Sequence, residues 1–167
     1  MALVPIRDAN QLGWQQPGWF SRSVEITSSD SLAALLRFQN WGRRCDATCA
    51  DGMWRFDTPG FFGRTVKVTS LPNVSPVGSF SWKFRGGLLR LDEGDVFEWK
   101  ALGFWSGERA FLTPSGFPIL TFKPKIFSFK SCGEITIHRE YANIPQLPML
   151  VMLGINLVLT EQRRRRG

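Results

Sequence analysis

Three cysteines and one histidine are the residues of this chain best equipped for chemistry: Cys45, Cys49, Cys132 and His138. Together they hold the donors of a three-cysteine, one-histidine zinc site, and the gap between Cys45 and Cys49 falls within the range used by zinc ligands. The second half of such a site, Cys132 with His138, would run along a stretch patterned as a strand. An odd number of cysteines, in a chain too large to need disulfide staples, reads instead as free thiols in a reducing compartment. A redox pair at Cys45 and Cys49 is a lesser alternative. His138 alternates with Ile137 and is expected to face solvent. A histidine-dependent triad also lacks its nucleophile elbow, since no Gly-x-Ser-x-Gly occurs. Asp92, Glu93, Asp95 and Glu98 read as solvated charges at a hairpin tip, and no phosphate-cradling glycine pattern is found. The expectation is a non-enzymatic chain with no metal and no cofactor.

Charge points elsewhere. Against 14 Asp and Glu the chain carries 21 Lys and Arg, a net +7. More than half of that excess is one run: Arg163, Arg164, Arg165 and Arg166. The rest of the chain offers only pairs such as Arg43-Arg44 and the spaced Lys123, Lys125 and Lys130, which argues against a nucleic-acid reader. The run has three readings. It is a solvated tail, an anchor for anionic lipid head groups or an acidic partner at about 1 kcal/mol per residue, or a positive-inside stop after a membrane helix. These four arginines are the candidate contact residues. Residues 1–10 hold no apolar run of signal-peptide length. The expected location is therefore cytoplasmic, with peripheral contact at a membrane face open.

The elements that must position these groups alternate at period two. Phe80, Trp82 and Phe84 alternate with Ser79, Ser81 and Lys83; Val24 and Ile26 flank Glu25; Val66 and Val68 flank Lys67. The same holds for Leu89 and Leu91, Phe97 and Trp99, Phe127 and Phe129, and Ile135 and Ile137. Turn residues separate the runs: Asp51-Gly52, Pro59-Gly60, Gly86-Gly87, Glu93-Gly94, Pro114-Ser115-Gly116 and Cys132-Gly133. They are the signals of hairpins between antiparallel neighbours. About ten to twelve short strands result, a pattern for a barrel or a sandwich with one buried face. Aromatic content of 13% suits such faces. With 167 residues, the chain is long enough for one domain with a proper core.

Two segments depart from this texture. Residues 31–41 carry Leu32, Leu35 and Leu36 at helical spacing behind a candidate Asp30 cap, yet Leu36, Phe38 and Asn40 alternate; strand is expected for the second half. Residues 147–159 are apolar on all sides, with Pro145 and Pro148 at the start, where a helix tolerates proline. Such a helix is buried in a protein core or in lipid. At ~1.5 Å per residue it spans roughly 20 Å, short of a ~30 Å hydrocarbon layer. Extension to residues 144–160 reaches the bottom of the spanning range and encloses Asn156, which costs more in lipid than in a core offering a partner.

A weak repeat links the hairpins: Phe56-x3-Gly60-Phe61-Phe62-Gly63 is echoed by Trp99-x3-Gly103-Phe104-Trp105-x-Gly107. A many-stranded antiparallel body with such aromatic hairpins, followed by one fully apolar C-terminal helix, resembles the tubby C-terminal-like superfamily. That superfamily includes tubby domains, phospholipid scramblases and LURP-one-related proteins. The resemblance covers residues 19–160. It implies a mainly β fold: an antiparallel closed barrel of about 10–12 strands around one apolar C-terminal helix. The physics agrees, because a barrel this wide has a lumen that strand side chains alone do not fill, and closure removes sheet edges. No acidic calcium loop is found, so calcium-controlled scrambling is unsupported. The basic residues with which tubby domains bind phosphoinositides match no particular positions here.

The expected organisation is an irregular arm at residues 1–18, a single barrel domain at residues 19–160 with its core helix near residues 147–160, and a basic tail at residues 161–167. The leading functional expectation is a non-catalytic binding or scaffold module that docks on a membrane face or an acidic partner. The alternative is a membrane-anchored accessory subunit held in an integral membrane complex by residues 144–160. A zinc enzyme built on Cys45, Cys49, Cys132 and His138 is the third reading.

Overall fold

Alternating sequence becomes a continuous wall. The computed structural model describes residues 2–18, 21–59, 63–103, 105–125 and 130–166. Its strands are β1 (Gln11–Gln15), β2 (Ser23–Ser28), β3 (Ser31–Gln39), β4 (Arg44–Cys49), β5 (Gly52–Asp57) and β6 (Thr65–Leu71). They continue as β7 (Ser75–Lys83), β8 (Gly86–Leu91), β9 (Val96–Ala101), β10 (Arg109–Leu112), β11 (Pro118–Pro124) and β12 (Cys132–Ile137). Each strand pairs antiparallel with its neighbours in the chain, and β1 pairs with β12, which closes the barrel. Period two decides which side chain faces which way. On β4, Cys45, Ala47 and Cys49 are buried; on β12, Ile135 and Ile137 are buried while Glu134 is exposed. Arg37, Lys67 and Arg90 stand exposed on the outer wall.

One helix, α1 (Leu147–Arg166), fills the lumen. Residues 147–158 are buried without a break. The helix packs against β10 and β11 and also against β4 and β5, which lie on the opposite side of the ring. The all-round apolar sequence therefore meets wall on every side, and each fully buried Leu or Ile of the helix contributes about 2 kcal/mol. On one flank the fillers are large: Trp99 and Phe122 have ring centroids 5.4 Å apart, Trp99 and Phe111 4.8 Å, and Trp14 and Phe122 6.5 Å. On the other flank they are small, with Ala34 on β3 and Cys45 and Ala47 on β4. Gly154 is the point of closest approach. A Cβ there would meet the Phe122 ring, with Cε2 and Cε1 only 2.6 and 2.7 Å away. Among the described residues no helix is long and apolar enough to cross a membrane, and residues 147–158, the heart of the supposed 144–160 anchor, are enclosed by strands. Asn156 is buried with them, 3% exposed.

Several expectations need correction. Residues 1–18 are not wholly an arm: Leu12 and Trp14 alternate with polar neighbours, and as β1 they supply the strand that closes the ring. Residues 161–166 are not a tail, because α1 continues through them. All of residues 31–39 form strand β3. The helix-like spacing comes from a β-bulge: the register skips Ala33, so Ala33 and Ala34 are both buried and the alternation slips by one. Asp30 caps no helix; Ser29 and Asp30 form a tight turn with φ of 46° and 68°. Gly86-Gly87 and Cys132-Gly133 begin strands, and the turn before β8 is Phe84-Arg85. Phe127, Phe129 and the aromatic pairs at residues 61–62 and 104 lie partly or wholly outside the described residues.

Candidate functional site

A meander of antiparallel strands sends alternate connections to opposite ends of the barrel. The helix enters at one end, the base, and leaves at the other, the mouth. At the base, the Arg7 guanidinium donates to the carbonyls of Ile144 and Pro145 at 2.6 and 3.1 Å. Gln146 Nε2 donates to Glu93 Oε1 and Asp95 Oδ2, both at 2.7 Å. Exposed acids gather here: Asp8, Asp30, Asp51, Asp92, Glu93 and Asp95. The mouth has the opposite sign. Its connections and strand ends carry Arg22, Arg43, Arg64, Lys83, Arg85, Lys100 and Lys125, and the helix adds its arginines. The carboxylates near the mouth are engaged. Asp57 pairs with Arg44 at 2.9 Å, Glu98 with Lys100 at 3.6 Å, Glu108 with Lys123 at 3.9 Å, and Glu161 with Arg109 at 2.6 Å. The first three of these pairs are exposed and stabilise little, whereas Glu161–Arg109 is largely buried; each pair takes up one charge of either sign, and the cations in excess of the carboxylates set the sign of the mouth.

The end of α1 is seated in this mouth residue by residue. Glu161 accepts from Trp99 Nε1 at 3.0 Å and from Arg109 Nε at 2.6 Å. Gln162 Oε1 accepts from Ser131 Oγ at 3.0 Å, which in turn accepts from Trp14 Nε1 at 3.2 Å. The Arg163 guanidinium lies 5.3 Å from the Phe38 ring centroid and occupies the space above Gly42, whose φ of +84° suits a residue without Cβ. That partial burial lowers the Arg163 pKa from its ordinary value. Arg164 stacks 4.9 Å from the Trp82 ring centroid and donates to the Gly63 carbonyl at 2.9 Å. Cation–π contacts at half-exposed sites are worth about 1 kcal/mol each. Of the four arginines named from sequence, Arg163 and Arg164 thus hold the helix in the barrel. Arg165 lines a cleft, and the Arg166 side chain lies outside the described residues.

Two clefts flank the helix end. One, of about 770 Å³, is lined by Lys83, Arg85, Lys100, Arg109, Arg164 and Arg165 against only two carboxylates, Glu98 and Glu161. Trp82 also lines it, and its buried indole Nε1 has no hydrogen-bond partner among the described residues. The other, of about 800 Å³, is lined by Arg22, Phe38, Trp41, Ser131, Gln162 and Arg163.

The residues of the zinc reading, Cys45, Cys49, Cys132 and His138, do not converge. Cys45 and Cys49 face the lumen from β4, and Cys132 stands on β12, four strands away round the ring. Cys45 and Cys49 are free thiols. His138 is half-buried, with Nε2 2.9 Å from Thr121 Oγ1. Among the described residues no group of three metal-binding side chains comes together.

Burial raises the pKa of both Cys45 and Cys49 above the ordinary 9.0. At neutral pH each is a thiol whether the chain is folded or not. Above pH 9.0 the unfolded chain ionises first, so stability, intact below that pH, falls as the medium becomes more alkaline. For Cys45, the more deeply buried of the two, the slope approaches about 1.4 kcal/mol per pH unit. Urea midpoints at neutral and alkaline pH check this, and substituting Cys45→Ala and Cys49→Ala flattens the fall.

The polarity of the two ends was missed by reading the chain in runs. A signal existed: Arg22, Arg43, Arg64 and Arg85 recur every 21 residues, the length of one complete hairpin, and so return to the same end. Compared with protein-family models, with curated proteins and with solved structures, the chain finds no match.

Proposed function

We propose that this chain is a non-catalytic binding module, a tubby-like barrel that presents its cationic mouth to an anionic membrane face. One observation carries the reading: cations are in excess at the end where the helix emerges, and acids collect at the other. Such a charge dipole orients the molecule before contact, with the base repelled and the mouth attracted. Arg163 and Arg164 keep their charge while held against Phe38 and Trp82, and Arg165 and connection residues such as Lys83 add to the attraction.

Co-sedimentation tests it with vesicles of phosphatidylcholine alone and mixed with phosphatidylserine. The expected result is attachment to the anionic vesicles only, declining as salt shortens the screening length below ~10 Å. The double substitution Lys83→Glu, Arg165→Glu weakens it about tenfold or more. Equal attachment to neutral vesicles, or indifference to salt, overturns the proposal. Capture of polyglutamate but not of vesicles assigns the mouth to an acidic protein instead.

A further inference from the structure

Among the described residues, three large aromatic side chains at the mouth stand almost wholly in solvent: Trp41 is 98% exposed, Phe84 91% and Trp105 88%. They belong to three different connections, β3–β4, β7–β8 and β9–β10. Six connections ring the mouth, and in strand order the one bearing Trp41 lies opposite the one bearing Trp105, with that of Phe84 beside the latter. The three rings are therefore spread round the rim. Exposed in water, each forfeits the favourable burial of an aromatic body.

The backbone at the first of them is unusual. Asn40, Trp41 and Gly42 are all left-handed, with φ of 51°, 59° and 84°. A bulky residue at positive φ is uncommon, and here it displays an indole rather than packing one. Cations flank these rings: the Arg85 guanidinium lies 5.2 Å from the Phe84 ring centroid, and Arg43 follows Gly42. Aromatic residues beside lysine and arginine are the composition that settles at the boundary between head groups and acyl chains. Among the described residues the base offers no equivalent, since its exposed Val74 and Phe117 share that end with Asp30, Asp92, Glu93 and Asp95.

We infer that the mouth inserts Trp41, Phe84 and Trp105 into the interfacial layer of an anionic bilayer, so that the barrel axis stands upright on the membrane. The partner is then a lipid surface and not an acidic polypeptide, because protruding tips suit a deformable layer that closes round them. This rests on the proposed docking of the mouth and adds insertion to it.

The experiment uses the full chain at low ionic strength with anionic vesicles whose acyl chains carry bromine. Tryptophan fluorescence is expected to be quenched on attachment, and Trp41→Ser with Trp105→Ser removes most of that quenching. Adding Phe84→Ser weakens attachment further, by about tenfold for each aromatic. The urea midpoints of these variants stay near that of the parent chain, because the side chains replaced are exposed. Salt-sensitive attachment without quenching, and unchanged in the triple variant, overturns insertion and leaves docking in place. No attachment to any vesicle, with or without capture of polyglutamate, overturns insertion together with docking on lipid.

Discussion

Replacing Gly154 by alanine is expected to lower the stability of the folded chain by about 2 kcal/mol. The sign is the informative part. In a helix interior alanine is better than glycine by about 1 kcal/mol, so an ordinary helix would gain. Here the added Cβ meets the Phe122 ring. That ring is confined by Trp99, Phe111 and Trp14 at centroid separations of 5.4, 6.4 and 6.5 Å. The ring has nowhere to retreat, and the helix is surrounded and cannot shift outward. The urea-unfolding midpoint measures the loss. Combined with Phe122→Leu, the alanine substitution costs less than the sum of the two separate changes, because the smaller side chain vacates the contested space. A gain in stability from Gly154→Ala alone would show that the helix is not gripped at this point.

Removing the carboxylate of Glu161 is expected to cost about 3 kcal/mol. An acid near the C-terminus of a helix is disfavoured by the helix dipole, so this residue owes its place to its partners. Arg109 is only 8% exposed, and Glu161→Ala leaves its guanidinium desolvated without a counter-charge. The Trp99 indole N–H loses its acceptor in the same step. Replacing both members of the ion pair, with Arg109→Met and Glu161→Leu, recovers most of the loss, since no buried charge remains. Chemical denaturation of the two variants makes the comparison. Equal destabilisation by the single and double changes would place the energy in packing and not in the ion pair.

The legibility of this fold varied with the range of the physics involved. Strands such as β2 and β12 were plain because one buried face leaves an alternating trace in the residues themselves. The helix was plain for the same reason, since a surface buried on all sides must be apolar on all sides. β3 was half legible, because the bulge at Ala33 broke its period. β1 was missed: five residues with Gly13 at their centre give a faint pattern, and its role in closing the ring is a property of the ends meeting. The fate of Arg163 and Arg164 could not be read from the run, because Phe38 and Trp82 lie far away in sequence and reach the helix end only once the ring has closed. The same holds for the charged poles. No single connection reveals them; they appear when every second turn is placed on one side.

The order of the elements along the chain carries its own consequence for biosynthesis. The plug follows every strand it will be wrapped by, so a ribosome releases twelve strands of wall before it supplies the filler. Until then the inward faces of Trp14, Phe56, Phe80 and Trp99 have only each other and water to meet, and the seam between the first and last strands has little to close upon. Such a nascent chain is a natural client for a chaperone that shields apolar surface, and it is the stage at which aggregation threatens most.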